Sequence, residues 1–493
     1  MFRSLRTDDE SGPSAGEPRR VTVLGAGVAG LVAAYELERL GHQVEIIEAS
    51  NRVGGRVYTH RFGAAPDAPF ADLGAMRLRT DHTRTLHYLT ELGLLGDIRE
   101  FRTLFADDDN VLSIEDDRHI KVSQAPTVLT ARLAERLGDH SYRPATLLFG
   151  AWLNACLRAI APRDFHDWPE VSTGLLDLVD RIDLEPYLRG DGSKVDLHAV
   201  VADHPQIRSG VFRGHERLLD DVLDETSPAL YRLRGGMATF TNALAARIRG
   251  RVSLGHEVVG LSVRDDGVAV GVRHEGKVVY RHCDYVLCTI PFTVLREAML
   301  DGFDSDKLAA VHETQYWPAT KIALLCREPF WAADGIAGGA SFTGGLVRQT
   351  YYPPVEGDPA HGAVLLASYT IGPDAEEMGR LDPAARYRVV LNEVGRMHPG
   401  LLERGMIRDA VGYAWGRHRW SLGAATIRWG QDARTREEQQ WAAARPQGRL
   451  FFAGEHCSSM PAWIEGAIES VSDVLRDMES RDPRELMRLE RRR

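Results

Sequence analysis

The sequence predicts an α/β fold, in which a discontinuous domain built on a βαβ unit is joined to a mixed-sheet domain and an inserted helical domain. Three observations lead to this prediction. The length of 493 residues suits two or three domains. A strand, a glycine turn, a helix and a second strand open the chain, and strand patterns return towards its end. Amphipathic helices fill the stretch between about residues 126 and 236.

The βαβ unit begins at residue 21. VTVLGAGVAG is a β-branched strand that runs into glycines, LVAAYELERLG has apolar residues at helical spacing and stops at Gly41, and QVEIIEA is a second strand. Gly25, Gly27 and Gly30 form G-x-G-x-x-G between the first strand and the helix. Such glycines allow a tight turn, a close approach of a diphosphate and close helix–strand packing, so we expect a Rossmann-like dinucleotide site. The helix N-terminus favours the diphosphate anion.

Two features that follow refine the identity of the ligand. Glu48 closes the second strand and would accept hydrogen bonds from ribose hydroxyls, which disfavours a cofactor with a 2′-phosphate. In NRVGGRV, a Gly-Gly-Arg turn brings the backbone close to the cofactor again, and Arg52 and Arg56 add charge near the diphosphate. This second turn favours FAD over NAD, with a solvated basic turn as the alternative interpretation.

Helix and strand patterns alternate through the rest of the chain. The inserted region carries the helical patterns VLTARLAERLG, ATLLFGAWLNACLRAIA and TGLLDLVDRIDLEPYL, and a further helix is predicted in RGGMATFTNALAARI. RVSLGHEVVGLSVRDDGVAVGV predicts a meander that turns at Asp-Asp-Gly, and DYVLCTI predicts a buried strand. TKIALLC and GAVLLASYTIG predict strands of the mixed region, and GRLFFAGEH predicts a strand before the last helix, AWIEGAIESVSDVLRDME.

These patterns divide the chain into five parts, of which two are discontinuous. They are a flexible leader (1–18), an FAD-binding domain (19–78, 237–316 and 440–480), a substrate-binding domain (79–125 and 317–439), a helical domain (126–236) and a charged tail (481–493).

Composition excludes several classes of protein. The hydrophobic fraction of 44% and the charged fraction of 26% are those of an ordinary globular protein, and the net charge of −10 disfavours a nucleic-acid partner. The polar N-terminus is no secretory signal, and no apolar run approaches the roughly 18 residues of a membrane span. The five cysteines form neither a CxxC motif nor a disulfide framework, which indicates a reducing compartment. We expect a cytoplasmic protein with no metal and no membrane partner.

The motifs at both ends of the chain and in its middle support a resemblance. GAGVAG, Glu48, NRVGGRV, FFAGEH and WIEGAIES together look like the flavin-containing amine oxidase superfamily. Within it, the stretch from Gly74 to Arg77, WPATKIALLCREPFW, the pair Tyr351-Tyr352 and ASYTIG are similar to the L-amino acid oxidase branch. The helical insert is placed as in that family but carries no motif that we recognise.

The resemblance implies an extended FAD held by residues from three separated segments. Its implied contacts include the backbone of Val258 at the adenine and Glu455 near the ribityl or diphosphate region. The full implied set is Gly25, Gly27, Ala29, Gly30, Glu48, Ala49, Arg56, Gly74, Ala75, Met76, Arg77, Val258, Gly454, Glu455, Trp463 and Ile464. Relatives that attach FAD covalently use a cysteine shortly before the C-terminal motif. Residues 420–426 contain no cysteine, so we expect a non-covalent FAD.

Arg77 is the residue that would define the substrate class. A guanidinium offers a planar, bidentate grip on an α-carboxylate, which a simple amine lacks. The resemblance implies that Tyr369 assists it, and a structural salt bridge to Asp72 or Asp81 is the alternative. The implied substrate-binding residues are Arg77, Tyr369, Ile371, Trp317, Ala425, Ala462 and Trp463. Because Trp317, Ala425 and Ala462 depart from some family members, the side-chain pocket is not transferable.

Lys321 is one of only five lysines beside 55 arginines. Coding bias explains the ratio, but a retained lysine is informative, since an ammonium can lose its charge on burial and a guanidinium cannot. The resemblance places Lys321 next to a water near the flavin, where it helps imine hydrolysis or oxygen reactivity; a surface strand lysine is the alternative. The expected catalytic residues are therefore Lys321, Arg77 and Tyr369.

The implied activity is oxidative deamination of an L-amino acid by FAD and O2, which yields a 2-oxo acid, ammonium and H2O2. The alternatives are an amino acid 2-monooxygenase that forms an amide, a mono- or polyamine oxidase, and a flavin-binding protein without turnover. The resemblance also implies a homodimer or a larger homo-oligomer. Five acids of the insert suit either a cationic substrate side chain or, as we favour, solvated helix faces; they are Asp164, Asp167, Asp177, Asp180 and Asp183.

Overall fold

The computed structural model describes residues 18–480, apart from residues 66, 115–117, 139, 164–170, 191, 212–215 and 228. The expected charged tail and all but the last residue of the expected leader therefore lie outside the described residues. The α-helices, in chain order, are α1 Val28–Arg39, α2 Thr83–Glu91, α3 Ala125–Leu137, α4 Pro144–Ile160, α5 Thr173–Val179, α6 Leu197–Asp203, α7 Gln206–Val211, α8 Glu216–Glu225, α9 Ala238–Ala245, α10 Phe292–Leu295, α11 Ser305–Glu313, α12 Gly372–Arg380, α13 Pro383–Met397, α14 Ala433–Ala444 and α15 Ile464–Ser480.

The strands lie between these helices in an order that alternates with them at both ends of the chain. In chain order they are β1 Arg20–Leu24, β2 Gln43–Ile47, β3 Thr59–Arg61, β4 Phe70–Asp72, β5 Leu78–Arg79, β6 Ile98–Glu100, β7 Val111–Ser113, β8 His119–Lys121, β9 Leu188–Arg189, β10 Lys194–Val195, β11 Leu230–Leu233, β12 Arg251–Ser253, β13 Glu257–Arg264, β14 Gly267–His274, β15 Lys277–Cys283, β16 Tyr285–Cys288, β17 Met299–Asp301, β18 Tyr316–Trp317, β19 Ala319–Cys326, β20 Ala340–Phe342, β21 Gln349–Tyr351, β22 Ala363–Ile371, β23 Ile407–Ala414, β24 Ala425–Thr426 and β25 Leu450–Phe452.

A five-stranded sheet, ordered β12-β2-β1-β16-β25, carries the glycine loop at the end of β1. All its pairings are parallel, and its strands come from three separated parts of the chain. Leu31 of α1, Ile46 of β2, Phe451 of β25 and Ile468 of α15 belong to one buried cluster. Both faces of a parallel sheet need such a cover, which α1 and α15 help to supply. The predicted α/β class is confirmed.

A second large sheet is mixed and has seven strands, in the order β23-β19-β22-β21-β20-β7-β8. Strands β19 and β22 pair antiparallel and place Lys321 opposite Tyr369. Every residue of β19 is buried, as expected for a central strand that is covered on both sides. The meander predicted over residues 251–272 is present as β13 and β14, and β15 and β17, which were not predicted, complete a four-stranded sheet.

The inserted region contains α3 to α8, together with the short hairpin β9-β10. The stretch TGLLDLVDRIDLEPYL was expected to be one helix, but α5 ends at Val179. The reason is local: the carboxylate of Asp180 accepts from the Thr146 hydroxyl at 2.6 Å and from the Arg143 amide at 3.1 Å, so the chain turns there. The region ends with β11, which pairs with β5 and β6. The division into domains stays a prediction.

Candidate active site

One cavity runs between the five-stranded sheet, the seven-stranded sheet and the helical insert, and it is lined by all the predicted site residues except Gly30. The glycine loop and Glu48 lie in its wall, as do Arg77, Lys321 and Tyr369. Residues that are hundreds of positions apart in the sequence therefore meet at one site.

The three glycines of the first loop do different work. Gly25 has φ +102°, and a Cβ there would lie 2.7 Å from the Thr289 hydroxyl. A Cβ on Gly30 would lie only 1.9 Å from the carbonyl oxygen of Gly25, which explains why Gly30 sits behind the loop and packs the helix onto it. A Cβ on Gly27 would meet nothing nearer than the Cα of Gly55 at 3.8 Å. Gly27 therefore leaves open space in the wall of the cavity.

This end of the cavity fits an adenine dinucleotide. The first turn of α1 carries no acidic residue, and its N-cap, Gly27, makes no side-chain hydrogen bond, so the amides of this turn are available to a diphosphate. Glu48 accepts from the amides of Ala26 at 2.7 Å and Ser50 at 2.8 Å. A carboxylate has about four acceptor sites, so two sites are left for ribose hydroxyls. Glu48 and this turn would hold the adenosine and the diphosphate of FAD.

An ion pair between a half-buried arginine and a buried glutamate joins the second glycine turn to the C-terminal motif. Nη1 of Arg56 lies 2.6 Å from Oε1 of Glu455, and Oε2 of Glu455 accepts from Thr426 and from the amide of Ala462. Burial alone would raise the pKa of Glu455, but Arg56 and the other donors outweigh it and lower the pKa to about 2. Glu455 is thus ionised at neutral pH and holds the segment that enters α15 against the cavity.

Lys321 is only 4% exposed, which excludes a surface lysine. Its Nζ donates to the carbonyl oxygen of Gly74 at 2.7 Å and of Asp72 at 3.3 Å, and it lies 4.7 Å from the ring centre of Tyr369. Burial, helped by the positive charge of Arg77, lowers the pKa of Lys321 to about 7. Lys321 therefore changes charge close to physiological pH.

Arg77 lines the cavity with its guanidinium 7% exposed. Neither alternative partner binds it: Asp81 pairs with Arg79 at 2.6 Å, and Asp72 accepts from Thr59 and from the amide of Met237. Instead, Nη2 of Arg77 contacts a carboxylate oxygen of Glu225, at the end of α8. Its Nη1 donates to a tyrosine hydroxyl at 3.3 Å, but the tyrosine is Tyr351 rather than Tyr369.

An aromatic wall lies in the same cavity, and part of it was not predicted. The rings of Trp317 and Trp429 meet edge to face with 4.8 Å between their centres. The indole Nε1 of Trp429 donates to Asp221 of α8 at 2.7 Å, and Asp221 also pairs with Arg217 at 2.9 Å. Burial raises the pKa of Asp221, against the effect of Arg217. Because the indole of Trp429 donates to it, the Asp221 carboxylate holds Trp429 in its orientation.

The helical insert contributes different acids to the cavity from the five considered in the sequence. Asp164 and Asp167 lie outside the described residues, and Asp177, Asp180 and Asp183 do not line the cavity. The acids that do line it from this region are Asp221, Asp224 and Glu225, on one face of α8. In a sequence, an acidic helix face predicts a surface that faces water. Only the apolar residues between these acids could have indicated that α8 is buried.

The sulfur and metal chemistry of the site is limited. The five cysteines are all free and buried, and none of them lines the cavity. No group of three or more metal-ligating side chains occurs among the described residues.

Within residues 18–480, as far as they are described, no helix is both long enough and apolar enough to cross a membrane.

Comparisons with known proteins agree with this geometry. A family model described as flavin containing amine oxidoreductase matches residues 28–471. The flavin-dependent L-tryptophan oxidase RebO of Lentzea aerocolonigenes is 53% identical over 469 residues, which cover 94% of this chain and 99% of that protein. The putative L-amino-acid oxidase YobN of Bacillus subtilis (strain 168) is 28% identical over 95% of this chain and 98% of its own length.

Solved structures of lower identity share the fold. Putrescine oxidase bound to putrescine superimposes with a TM-score of 0.63 at 19% identity, over 94% of this chain and 99% of that chain. The fold match, the family match across nearly the whole chain and the glycine loop at the end of β1 all lead to the same assignment: this chain belongs to the flavin-containing amine oxidoreductase family.

Proposed function

We propose that this chain oxidises a large aromatic L-amino acid, L-tryptophan or a close analogue, to the 2-oxo acid with release of ammonium and H2O2. The broader statement is that the chain is an FAD-dependent L-amino acid oxidase. FAD, when bound, supplies the two-electron acceptor and the group that O2 reoxidises. The protein supplies binding, orientation and charge. The absence of cysteine from the cavity wall supports a non-covalent FAD. The homo-oligomer implied by the resemblance stays a prediction.

Arg77 is the observation that carries the proposal. It is a nearly buried guanidinium in the wall of a cavity that also contains the proposed flavin contacts Gly74 and Met76. An α-carboxylate placed on Arg77 would fix the α-carbon within the cavity that Tyr369 also lines, whereas Tyr351, whose hydroxyl accepts from Nη1 of Arg77, does not line it. An amine without a carboxylate offers no group to bind this guanidinium, which would keep its contact with Glu225.

Lys321 and Tyr369 are proposed to act on the other side of the same substrate. With a pKa of about 7, Lys321 carries a positive charge below that pH and loses it above. A cation beside the site favours the negative charge that O2 acquires as it is reduced. The ring of Tyr369, 4.7 Å from Nζ, holds the lysine side chain in place and shields it from water.

The preference for an aromatic side chain rests on the wall formed by Trp317 and Trp429. Edge-to-face contacts with a third ring add roughly 0.5–1.5 kcal/mol beyond simple burial. Ala425 lies opposite Trp317 on the neighbouring strand, and its small side chain leaves room beside that ring. The similarity to an L-tryptophan oxidase over nearly the whole chain supports the same preference.

A panel of the twenty L-amino acids, together with tryptamine, tests the proposal. We expect L-tryptophan to give the highest kcat/KM, with one ammonium and one H2O2 formed in each turnover, and tryptamine to be inert. An amide formed without H2O2 would instead identify a monooxygenase, and oxidation of tryptamine would identify an amine oxidase. Bleaching of the flavin by anaerobic L-tryptophan would exclude a binding protein without turnover.

A further inference from the structure

The substrate anchor proposed above is already occupied in the ligand-free protein. Nη2 of Arg77 contacts Oε1 of Glu225, and the two side chains are 7% and 18% exposed. Glu225 is the only carboxylate within 4 Å of Arg77 among the residues that the structure describes. It presents to the guanidinium the same chemical group that an amino acid would present.

The position of Glu225 is set by helix packing and not only by this contact. Leu218, Leu219 and Val222 of α8 are fully buried in the core of the insert. At the end of the helix, the hydroxyl of Thr103 donates to the carbonyl oxygen of Glu225. The helix would therefore stay in place if the Glu225 side chain left Arg77. Such a departure is a change of side-chain rotamer and requires no movement of the backbone.

The Glu225 carboxylate is only half satisfied. Its Oε2 is buried and has no hydrogen-bond partner among the described residues. A buried acceptor without a partner raises the free energy of the closed arrangement, whereas Arg77 without any carboxylate would leave an unpaired buried charge. The pair thus suits a role in which one carboxylate holds the arginine until another replaces it.

We propose that Glu225 sets the affinity of the site for carboxylate ligands, because it occupies the substrate-carboxylate position on Arg77 and has to be displaced by each substrate. This inference rests on the proposed function, since it assumes that Arg77 binds the substrate carboxylate. Apparent affinity falls by the fraction of molecules in which the guanidinium is free. If Arg77 is free in about one molecule in ten, every carboxylate ligand binds about tenfold more weakly than to an unoccupied site. Glu225 also stabilises the ligand-free protein.

The test compares E225Q with the wild-type holoenzyme. Benzoate, a carboxylate without an amine, serves as the probe, and its binding is followed by the change in flavin absorbance; KM and kcat are measured with L-tryptophan. We expect E225Q to lower the Kd of benzoate and the KM of L-tryptophan about tenfold each, with kcat changed less than about twofold, and to lower the Tm. D220N is the matched control, because Asp220 lies on the same helix, does not line the cavity and pairs with Arg208 on a partly exposed face. It should change neither constant by more than about twofold.

The outcomes separate this inference from the proposed function. An unchanged or raised benzoate Kd in E225Q, combined with lost benzoate binding in R77M, would overturn the role of Glu225 and leave the role of Arg77 intact. Normal benzoate binding in R77M would overturn the proposed function itself. If E225Q does not retain FAD, E225D takes its place, because a side chain shorter by one methylene reaches Arg77 less well; a gain of about threefold is then expected, and no gain contradicts the proposal.

Discussion

The two halves of the cavity recognise their ligands by different means. At the glycine loop, recognition depends on the backbone: helix amides, a missing Cβ at Gly27 and one carboxylate, all within residues 25–48. At the substrate end it depends on side chains, since Arg77, Lys321 and Glu225 come from three distant segments; Arg77 and Lys321 are buried and Glu225 is half-buried. A backbone site tolerates most substitutions that keep the turn, whereas a site made of buried charges loses its function when one partner is removed.

The largest expected effect is the loss of Arg77. R77M should lower kcat/KM for L-tryptophan by about 10²–10⁴-fold, because a substrate carboxylate buried without its partner costs about 3–5 kcal/mol. Anaerobic stopped-flow reduction of the flavin measures this directly. If the flavin of R77M were reduced at the wild-type rate at low substrate concentration, substrate binding would not depend on this side chain. The contrast between the two halves of the cavity would then be wrong.

Removal of Lys321 tests the same half through a different step. Because the pKa of Lys321 is about 7, the wild-type rate of flavin reoxidation by O2 should fall as pH rises through that value, since the lysine loses its charge. K321M should reoxidise about 10²-fold more slowly and show no change with pH near 7. Reduction by the substrate is the internal control and should change much less. A pH profile in K321M like that of the wild type would contradict the assignment.

A pair of glycine substitutions probes the backbone half. G30A should lower the free energy of unfolding by about 1–3 kcal/mol, because its Cβ would overlap the carbonyl oxygen of Gly25. G27A has ordinary backbone angles, with φ −75°, and no close neighbour, so its stability should change by less than about 0.5 kcal/mol.

The same pair separates packing from cofactor contact. G27A should nevertheless bind FAD about tenfold more weakly, since its methyl group would project towards the diphosphate. Thermal unfolding and release of flavin fluorescence measure the two quantities. Equal FAD affinity in G27A and the wild type would show that the backbone does not approach the cofactor there.

The smallest effect is expected at Asp221. D221A releases the indole of Trp429 and should reduce the ratio of kcat/KM for L-tryptophan to that for L-leucine by about threefold to tenfold. D220N is the control, because Asp220 pairs with Arg208 on a partly exposed face of the same helix. A selectivity ratio unchanged in D221A would mean that Trp429 does not need Asp221 for its orientation.

The same contrast explains what the sequence could predict. The glycine loop, Glu48 and the strands around them are contiguous, and each residue type there has a local physical reason, so the α/β class and FAD could be predicted from motifs. Lys321 was identifiable because the resemblance places a lysine at that position, and the rarity of lysine in this chain supported the choice. The contacts of Arg77 with Glu225 and Tyr351 were not, because they join segments more than 100 residues apart. No local pattern in α8 distinguishes an acid that faces a cavity from one that faces water.

The burial of the cysteines acquires a meaning once the proposed product is considered. H2O2 attacks thiolates far faster than thiols. Burial raises the pKa of the thiols of Cys156, Cys288, Cys326 and Cys457 to about 12, and it also raises the pKa of Cys283. The sulfur that does line the cavity is the thioether of Met76, whose oxidation can be reversed by reductases. Thiols with such raised pKa values, all away from the cavity wall, would offer the proposed oxidant little thiolate to attack.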